Sequence, residues 1–353
     1  MPFRPAIRSA KAVASATLAA LFLASCAEPP PVITPPPPAV AVSLSPKLVE
    51  LASAYRYYMV RTTAITPDFP DGAGVARAVQ TGASYEPQQL ARGAVAYSAV
   101  IALQDKAFVD GVRVYAKDPV QRKQIAYEIM KDPAYAVGIP GSAGAAGLVI
   151  ATLGGDAQRL YDQGKAVKQA AYDLQKQPWS RDEVLGREAR LANAKSLSSS
   201  AMLGDVAETT RLQQASTGLA SLGLPSLGLA AAPVAPPYTP TVIRGLAIAA
   251  LAALGEATDA NAEQLMALSH EPNIGMCMST SKLNLYQCLA VARPNYEDVF
   301  CLGQHVMMDT GRCAIRAAGL PEPIEARYIP DAKTIAKGMP TKKAPVSKGK
   351  KKN

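Results

Sequence analysis

Four cysteines near the carboxyl end constrain the fold more than any other feature of the sequence. Cys277 and Cys288 precede the helix-breaking run 293–295, Arg-Pro-Asn, and Cys301 and Cys313 follow it. Residues eleven apart on one helix are separated by about 16 Å along its axis, whereas the Cα atoms of a disulfide lie within about 7 Å of each other. This distance excludes a disulfide inside a single helix.

Four cysteines allow three pairings. Two antiparallel helices that fold back at Pro294 place Cys288, six residues before the proline, beside Cys301, seven residues after it. The same fold places Cys277, seventeen residues before the proline, beside Cys313, nineteen after it. We therefore favour this nested pairing, in a disulfide-stapled helical hairpin, over the other two arrangements.

The amino-terminal segment has the form of an export signal. Residues 1–11 carry Arg4, Arg8 and Lys11 without an acid, and residues 12–23 are apolar or small. A membrane-spanning helix needs roughly 20 apolar residues, so this shorter run indicates a cleaved secretory signal. In an exported chain, an even set of cysteines indicates disulfides.

The run ends in Leu23-Ala24-Ser25-Cys26, which resembles the bacterial lipobox. The resemblance covers these four residues and implies cleavage before Cys26, diacylation of its sulfur and acylation of its amine. Two or more acyl chains anchor a protein stably. Under the sorting rule of lipoproteins, Ala27 in place of an aspartate implies the outer membrane, with the body facing the periplasm. The alternative is an ordinary secreted protein with a chance cysteine at the cleavage site.

The composition predicts an all-α fold, an irregular helical bundle with disordered termini. The chain is rich in alanine and holds only 5 Phe and 1 Trp, which favours helices over sheets. One predicted helix runs from the cap Ser45-Pro46 to a loop at 66–74, and a second from Pro87 through Ala116. Two further starts are the Lys-Asp-Pro signals at 117–119 and 131–133.

Three later stretches predict further elements. The uncharged stretch Pro133–Gly155 indicates a loop that enters a closely packed buried helix. Ser180 and Glu183 have the form of a capping box at the start of a charged, solvent-facing helix. Residues 242–254 are apolar except for Arg244, which predicts a helix buried against the earlier ones.

Charge is distributed unevenly along the chain. Of the net charge of +9, the signal contributes three positive charges and residues 333–353 contribute eight lysines without an acid. Subtracting both leaves about two negative charges on the rest, so the body has no basic face for nucleic acid. We expect the tail to contact anionic lipid or the carboxylates of peptidoglycan. The alternative is a solvated tail that binds nothing.

The chain therefore divides into six predicted segments. A Pro-rich linker, extended and semi-rigid, separates the anchor from the helical body, and an uncharged low-complexity strap or linker separates that body from the hairpin region. In order, signal peptide, lipidated linker, helical body, strap, helical region with the four-cysteine hairpin and disordered basic tail occupy residues 1–25, 26–44, 45–217, 218–240, 241–330 and 331–353.

A group of soft ligands near the cysteines suggests one possible metal site. Thioether and imidazole groups suit Cu(I), but methionine also fills gaps in small cores, and we favour that second interpretation and predict no cofactor. The candidate ligands are Met276, Met278, His305, Met307 and Met308.

Catalytic motifs are weak. The nearest approach to a nucleophile turn is the run around Ser142, where Pro140 replaces the first glycine of the motif. The acid pairs 182–183 and 297–298 stand at predicted helix starts, where carboxylates interact favourably with the helix dipole. No metalloprotease, Walker or dinucleotide motif occurs. We therefore favour a non-enzymatic envelope lipoprotein with a structural or binding role over a peptidoglycan-acting enzyme or a periplasmic Cu(I)-binding protein.

Overall fold

The structure, a computed structural model, describes residues 40–218, 222 and 232–325. The predicted signal peptide, the lipidation site Cys26 and the Lys-rich tail lie outside these residues. Within them the predicted all-α class is confirmed, since the described chain forms helices and no strands. None of these helices is both long enough and apolar enough to cross a bilayer.

Thirteen α-helices occur in the described part of the chain. They are α1 Pro46–Thr63, α2 Gly72–Ala83, α3 Pro87–Ala102, α4 Lys106–Arg113, α5 Pro119–Lys131, α6 Ser142–Leu174, α7 Arg187–Ser199, α8 Val206–Ser216, α9 Pro240–Ala253, α10 Ala262–Ser269, α11 Pro272–Val291, α12 Asn295–Cys301 and α13 Asp309–Ala318. A π-helical segment, Leu302–Met308, joins α12 to α13. Short 3-10 helices lie at Val114–Ala116, Pro133–Gly138, Trp179–Arg181 and Asp259–Asn261.

The two Lys-Asp-Pro signals start helices as predicted. The Asp118 carboxylate accepts a hydrogen bond from the backbone N–H of Val120 at 2.8 Å, and Asp132 accepts one from Ala134 at 2.9 Å. α1 also begins at Pro46 as predicted, but the Ser45 hydroxyl does not cap it. That hydroxyl instead donates to Asp259 Oδ1 at 2.8 Å. Tertiary contact has taken the side chain away from its local role.

Two predicted boundaries are wrong because aspartate caps start helices inside them. The predicted loop at 66–74 ends early, since Asp71 accepts from the N–H of Gly74 at 2.7 Å and starts α2. The predicted helix from Pro87 through Ala116 is divided. There Asp105 accepts from the N–H of Phe108 at 2.8 Å and starts α4 as a separate helix.

The predicted capping box at Ser180 is also wrong. The Ser180 hydroxyl is buried and donates to the carbonyl of Gln177 at 3.0 Å, within a 3-10 turn. The charged helix, α7, begins only at Arg187, after Gly186 with φ of +65°. Asn295 accounts for this shift, because its Nδ2 donates to the carbonyls of Trp179 and Asp182 and holds the turn in place.

The core is built from α3, α9 and α6, with α1 packed against α3. α9 is buried along almost its whole length, which confirms the prediction for residues 242–254. Close approach depends on glycine. A Cβ at Gly93 would lie 2.6 Å from the carbonyl oxygen of Leu51, and one at Gly245 would lie 2.5 Å from Ser98 Cβ. Helices before and after residues 218–240 therefore share one core.

Candidate functional site

The carboxyl-terminal hairpin consists of α11 and the continuous helix formed by α12, the π-helical segment and α13. Disulfides join Cys277 to Cys313, with Cα atoms 5.8 Å apart, and Cys288 to Cys301, with Cα atoms 5.7 Å apart. The nested pairing is thereby confirmed. The chain reverses at Ala292–Pro294, between the two helices, as the proline predicted.

A cleft of about 430 Å³ lies between α11 and α13, and we call it the hairpin cleft. The Cys277–Cys313 disulfide forms part of its wall. Amides, hydroxyls, one carboxylate and two guanidinium groups face it, beside one thioether. Its lining residues are Asn273, Met276, Cys277, Thr280, Ser281, Asn284, Asp309, Arg312, Cys313 and Arg316. Such a lining favours a polar ligand that carries both hydrogen-bonding groups and charge.

Asp309 is the fixed charge of the hairpin cleft. Its carboxylate lies 2.9 Å from His305 Nδ1, accepts from Gln304 Nε2 at 3.0 Å and contacts Arg312 Nη1 at 3.3 Å. Burial acts to raise the pKa of Asp309, but the contacts with His305, Gln304 and Arg312 outweigh it and hold the pKa below its ordinary value. The group is therefore an anion with its oxygens engaged, suited to binding rather than to proton transfer.

Arg312 provides the opposite charge. Its guanidinium contacts Asp309 and, at 3.3 Å, Glu325 Oε2, and it lies 5.4 Å from the centroid of the Tyr161 ring. The pKa of Arg312 is raised because these neighbours outweigh the effect of its burial. The cleft thus presents a positive and a negative group side by side.

A widened helical turn lies directly behind these charges. The π-helical segment Leu302–Met308 contains His305 and ends at Asp309. It packs closely on α6, where a Cβ at Gly303 would lie 2.5 Å from the backbone nitrogen of Lys168. Single π turns inside α-helices occur frequently at functional sites. This segment marks the hairpin as the strongest site candidate in the described chain.

A buried polar cluster supports the floor of the cleft. The Tyr85 hydroxyl lies 3.4 Å from the hydroxyls of both Ser281 and Thr310, which are 3.1 Å apart. Lys282 is 3% exposed, donates from Nζ to the carbonyl of Ala83 at 2.7 Å and lies 3.4 Å from the Tyr85 ring centroid. Burial lowers the pKa of Lys282 well below its ordinary value and raises the pKa of Tyr85 to about 12.

Sequence reasoning missed Lys282, although a signal was present. Met278, Lys282, Leu285 and Leu289 recur every three or four residues, and all four are buried on one face of α11. A lysine at an inner position of this series is a departure from the usual apolar pattern. Buried, strongly perturbed lysines are more frequent at functional sites than elsewhere.

The five predicted metal candidates occupy different environments. Met276 is 69% exposed at the edge of the hairpin cleft, whereas Met278, Met307 and Met308 are completely buried. Met307 and Met308 pack against Gly164 of α6, as gap-filling residues do. His305 is bound to Asp309. Among the described residues, no three His, Cys, Asp or Glu side chains form a group that could hold a metal ion. Copper binding stays a prediction.

The predicted catalytic candidates make structural contacts. The Ser142 hydroxyl donates to the carbonyl of Val137 at 2.6 Å. Glu297 accepts from the N–H of Arg293 at 2.8 Å. Asp298 is 1% exposed and paired with Arg190, and burial raises its pKa to about 6 against the opposing effect of that arginine. These contacts hold the chain reversal and the loops around it.

Comparison with known proteins adds no further constraint. No family model, curated protein or solved structure matches the chain. The argument for function therefore rests on the residues themselves.

Proposed function

We propose that this chain is a non-enzymatic lipoprotein of the bacterial envelope, anchored through Cys26, with a structural or binding role. The observation that carries the proposal is the run Leu23-Ala24-Ser25-Cys26 at the end of a short apolar segment. Lipidation there attaches the helical body to a membrane. The predicted membrane is the outer one, with the body in the periplasm.

The two disulfides of the hairpin support export. Disulfides persist in oxidising compartments such as the periplasm and are rare where thiols are kept reduced. Both Cα separations lie in the ordinary range for this bond. Cys26 is the one remaining cysteine of the five in the sequence, and it stands where the lipidation signal requires it.

The hairpin cleft supports a binding role. Its carboxylate is held by three donors, and the other acids considered for catalysis make structural contacts. A group that serves as a general acid or base needs a free path to the proton that it transfers. The arrangement favours recognition of a polar, charged ligand over chemical conversion of it.

Fatty-acid labelling tests the anchor. Cells that express the wild type are grown with labelled palmitate, with Cys26→Ser as the altered protein and Cys277→Ser/Cys313→Ser as the cysteine control. Label in the wild type and in the control, but not in Cys26→Ser, is expected. A wild-type protein that is exported and never labelled would overturn the lipoprotein proposal.

Muropeptide analysis tests the enzymatic alternative. Sacculi incubated with purified protein should give the same muropeptide profile as untreated sacculi. New fragments that appear with the wild type, and that disappear with Glu297→Gln/Asp298→Asn but not with Asp173→Asn, would establish a peptidoglycan-acting enzyme instead.

The Lys-rich tail, residues 331–353, is proposed to add contact with anionic lipid or peptidoglycan. Each lysine near an anionic surface contributes on the order of 1 kcal/mol, and the effect fades within a Debye length. Co-sedimentation with sacculi and with anionic vesicles, for the intact chain and for a truncation after Pro330, tests this. Equal sedimentation of both forms would leave the tail without a role.

A further inference from the structure

The outward side of α5 carries an unusual set of exposed residues. Val120 is 78% exposed and Tyr127 is 59% exposed. Lys123 and Lys131 are also exposed. At 100° per residue these four positions fall within about 80° of one another around the helix. We call them the α5 face. Ile125, Ala126 and Ile129 lie on the opposite side and are buried, so α5 is amphipathic and its outer side is mixed apolar and basic.

Neighbouring turns extend this surface. α5 packs against the 3-10 helices Val114–Ala116 and Pro133–Gly138. These carry Val114, 56% exposed, and Tyr135, 41% exposed. Four of the large exposed apolar side chains of the described chain therefore lie within 22 residues, from 114 to 135. Scattered single apolar residues need no explanation, but a contiguous group indicates an interaction surface.

The charges on this surface favour an anionic partner. Lys117, Lys123 and Lys131 are exposed and form no ion pair with any residue that the structure describes. The acids nearby are engaged. Asp118 and Asp132 accept from backbone N–H groups at the helix starts. Glu128 accepts from Gln124 Nε2 at 2.7 Å. The lysines are thus the free charges of the surface.

The start of the described chain lies beside α5. Arg113 Nη2 donates to the carbonyl of Val40 at 2.8 Å, and Val40 is so close to Gly255 that a Cβ there would meet its Cγ1. The next residue, Glu256, lies 3.2 Å from Arg122 of α5. Thirteen residues separate Val40 from Cys26, a stretch of at most about 50 Å when fully extended. A lipid at Cys26 therefore raises the effective concentration of bilayer around this side of the body.

We propose that the α5 face docks on the anionic headgroups of the same bilayer that holds the lipid anchor. Val120 and Tyr127 enter the interface, where tyrosine is favoured, and the three lysines contact phosphate groups. This inference rests on the proposed function, since the anchor supplies the bilayer. A single amphipathic helix face binds weakly alone, and the tether makes the contact effective.

Tryptophan quenching by brominated lipid tests the docking. Full-length lipidated protein is reconstituted into vesicles of brominated phosphatidylglycerol, as Tyr127→Trp and as Tyr172→Trp. Tyr172 is a matched control, 50% exposed on α6, and lies about 45 Å along that helix from Ser142, the end nearer to α5. Strong quenching of the emission added by Tyr127→Trp, and none of that added by Tyr172→Trp, is expected.

Lysine substitutions test the electrostatic part. In a Cys26→Ser chain truncated after Pro330, so that neither lipid nor tail contributes, vesicle affinity should fall about five-fold for each of Lys117→Gln, Lys123→Gln and Lys131→Gln at low salt. Lys165→Gln, on α6, should leave affinity unchanged. Salt of about 1 M, where the Debye length is about 3 Å, should abolish binding. Equal affinity of all four variants would overturn the role of the lysines.

Flotation of the vesicles separates this inference from the anchor. Flotation without quenching of the Tyr127→Trp emission would keep the anchor and overturn the docking. Quenching in the Cys26→Ser chain when the wild type lacks lipid would keep the docking and overturn the anchor. A change in the Tyr127→Trp emission that depends on protein concentration and not on vesicles would assign the α5 face to a second copy of the chain, and would overturn the proposal.

Discussion

Helices α1, α3 and α9 meet through alanine and glycine, whereas α11 and the helix after it meet through two disulfides and a cluster of buried polar side chains. In the first region, backbones approach so closely that Gly93 and Gly245 leave no space for a Cβ. In the second, a lysine, a tyrosine and two hydroxyl groups are buried together. The comparison teaches that dense packing stabilises the first region, and covalent links allow the second to keep polar groups inside.

Loss of the outer disulfide should have the largest effect on this contrast. Cys277 and Cys313 are 36 residues apart, and a loop of that length corresponds to about 4 kcal/mol of unfolding free energy; the 13-residue separation of Cys288 and Cys301 corresponds to about 3 kcal/mol. Urea unfolding of Cys277→Ser/Cys313→Ser and of Cys288→Ser/Cys301→Ser measures both. Two variants as stable as the wild type would show that packing, and not covalent linkage, holds the hairpin.

A side chain at Gly93 should cost slightly less. Valine there meets the Leu51 carbonyl and Tyr55 Cβ, at 2.6 and 2.7 Å from its Cβ. Overpacking of this kind costs about 3 kcal/mol. Gly138→Ala is the control, because a Cβ there has no atom within 4 Å. If thermal unfolding shows Gly93→Val to be as stable as Gly138→Ala, the core is looser than its glycine contacts indicate.

The buried Lys282 gives a smaller effect with a defined pH dependence. Because its folded-state pKa is lowered, the unfolded chain holds the proton more tightly, and stability rises with pH from the folded pKa up to about 10.4. Lys282→Met should remove this rise and stabilise the protein by about 1 kcal/mol at neutral pH. Lys176→Met, at an exposed site, is the control. Parallel pH profiles for wild type and Lys282→Met would show that the ammonium is not destabilised by burial.

Asp309 should show the smallest effect, with the opposite sign. Its folded-state pKa is lowered, so its contribution is present above the unfolded value of about 3.9 and is lost as pH falls through the folded pKa. Asp309→Asn should destabilise by about 1 kcal/mol at pH 7, with the difference from wild type disappearing in acid. Asp173→Asn is the exposed control. A difference that persists unchanged in acid would mean that shape, and not charge, matters at this position.

Much of the helical architecture could be predicted because its causes are local. Apolar spacing over residues 242–254 predicted a buried helix, and the aspartates at 118 and 132 predicted helix starts. The disulfide pairing followed from distances along two helices that turn at Pro294. The failures were at Ser45 and Ser180, where a hydroxyl with a correct local pattern makes a different hydrogen bond.

The candidate site was predicted only in part. The sequence placed Met276 and His305 near the cysteines, and both lie at or behind the hairpin cleft. It did not predict the Asp309–Arg312 pair as the charged centre, because acids and arginines on a helix are usually solvated. The widened turn at Leu302–Met308 has no sequence signal that we recognise.

The sequence by itself determined the helical class, the buried faces of the helices and the cysteine hairpin, because periodicity, caps and helix geometry act over a few residues. Only the tertiary structure decided what each inward side chain meets. Lys282 is buried against the carbonyl of Ala83, 199 residues earlier, and Asn295 holds a turn 113 residues away. A helical pattern specifies which side chains point inward, but the groups that satisfy them come from distant segments, and only packing brings these together.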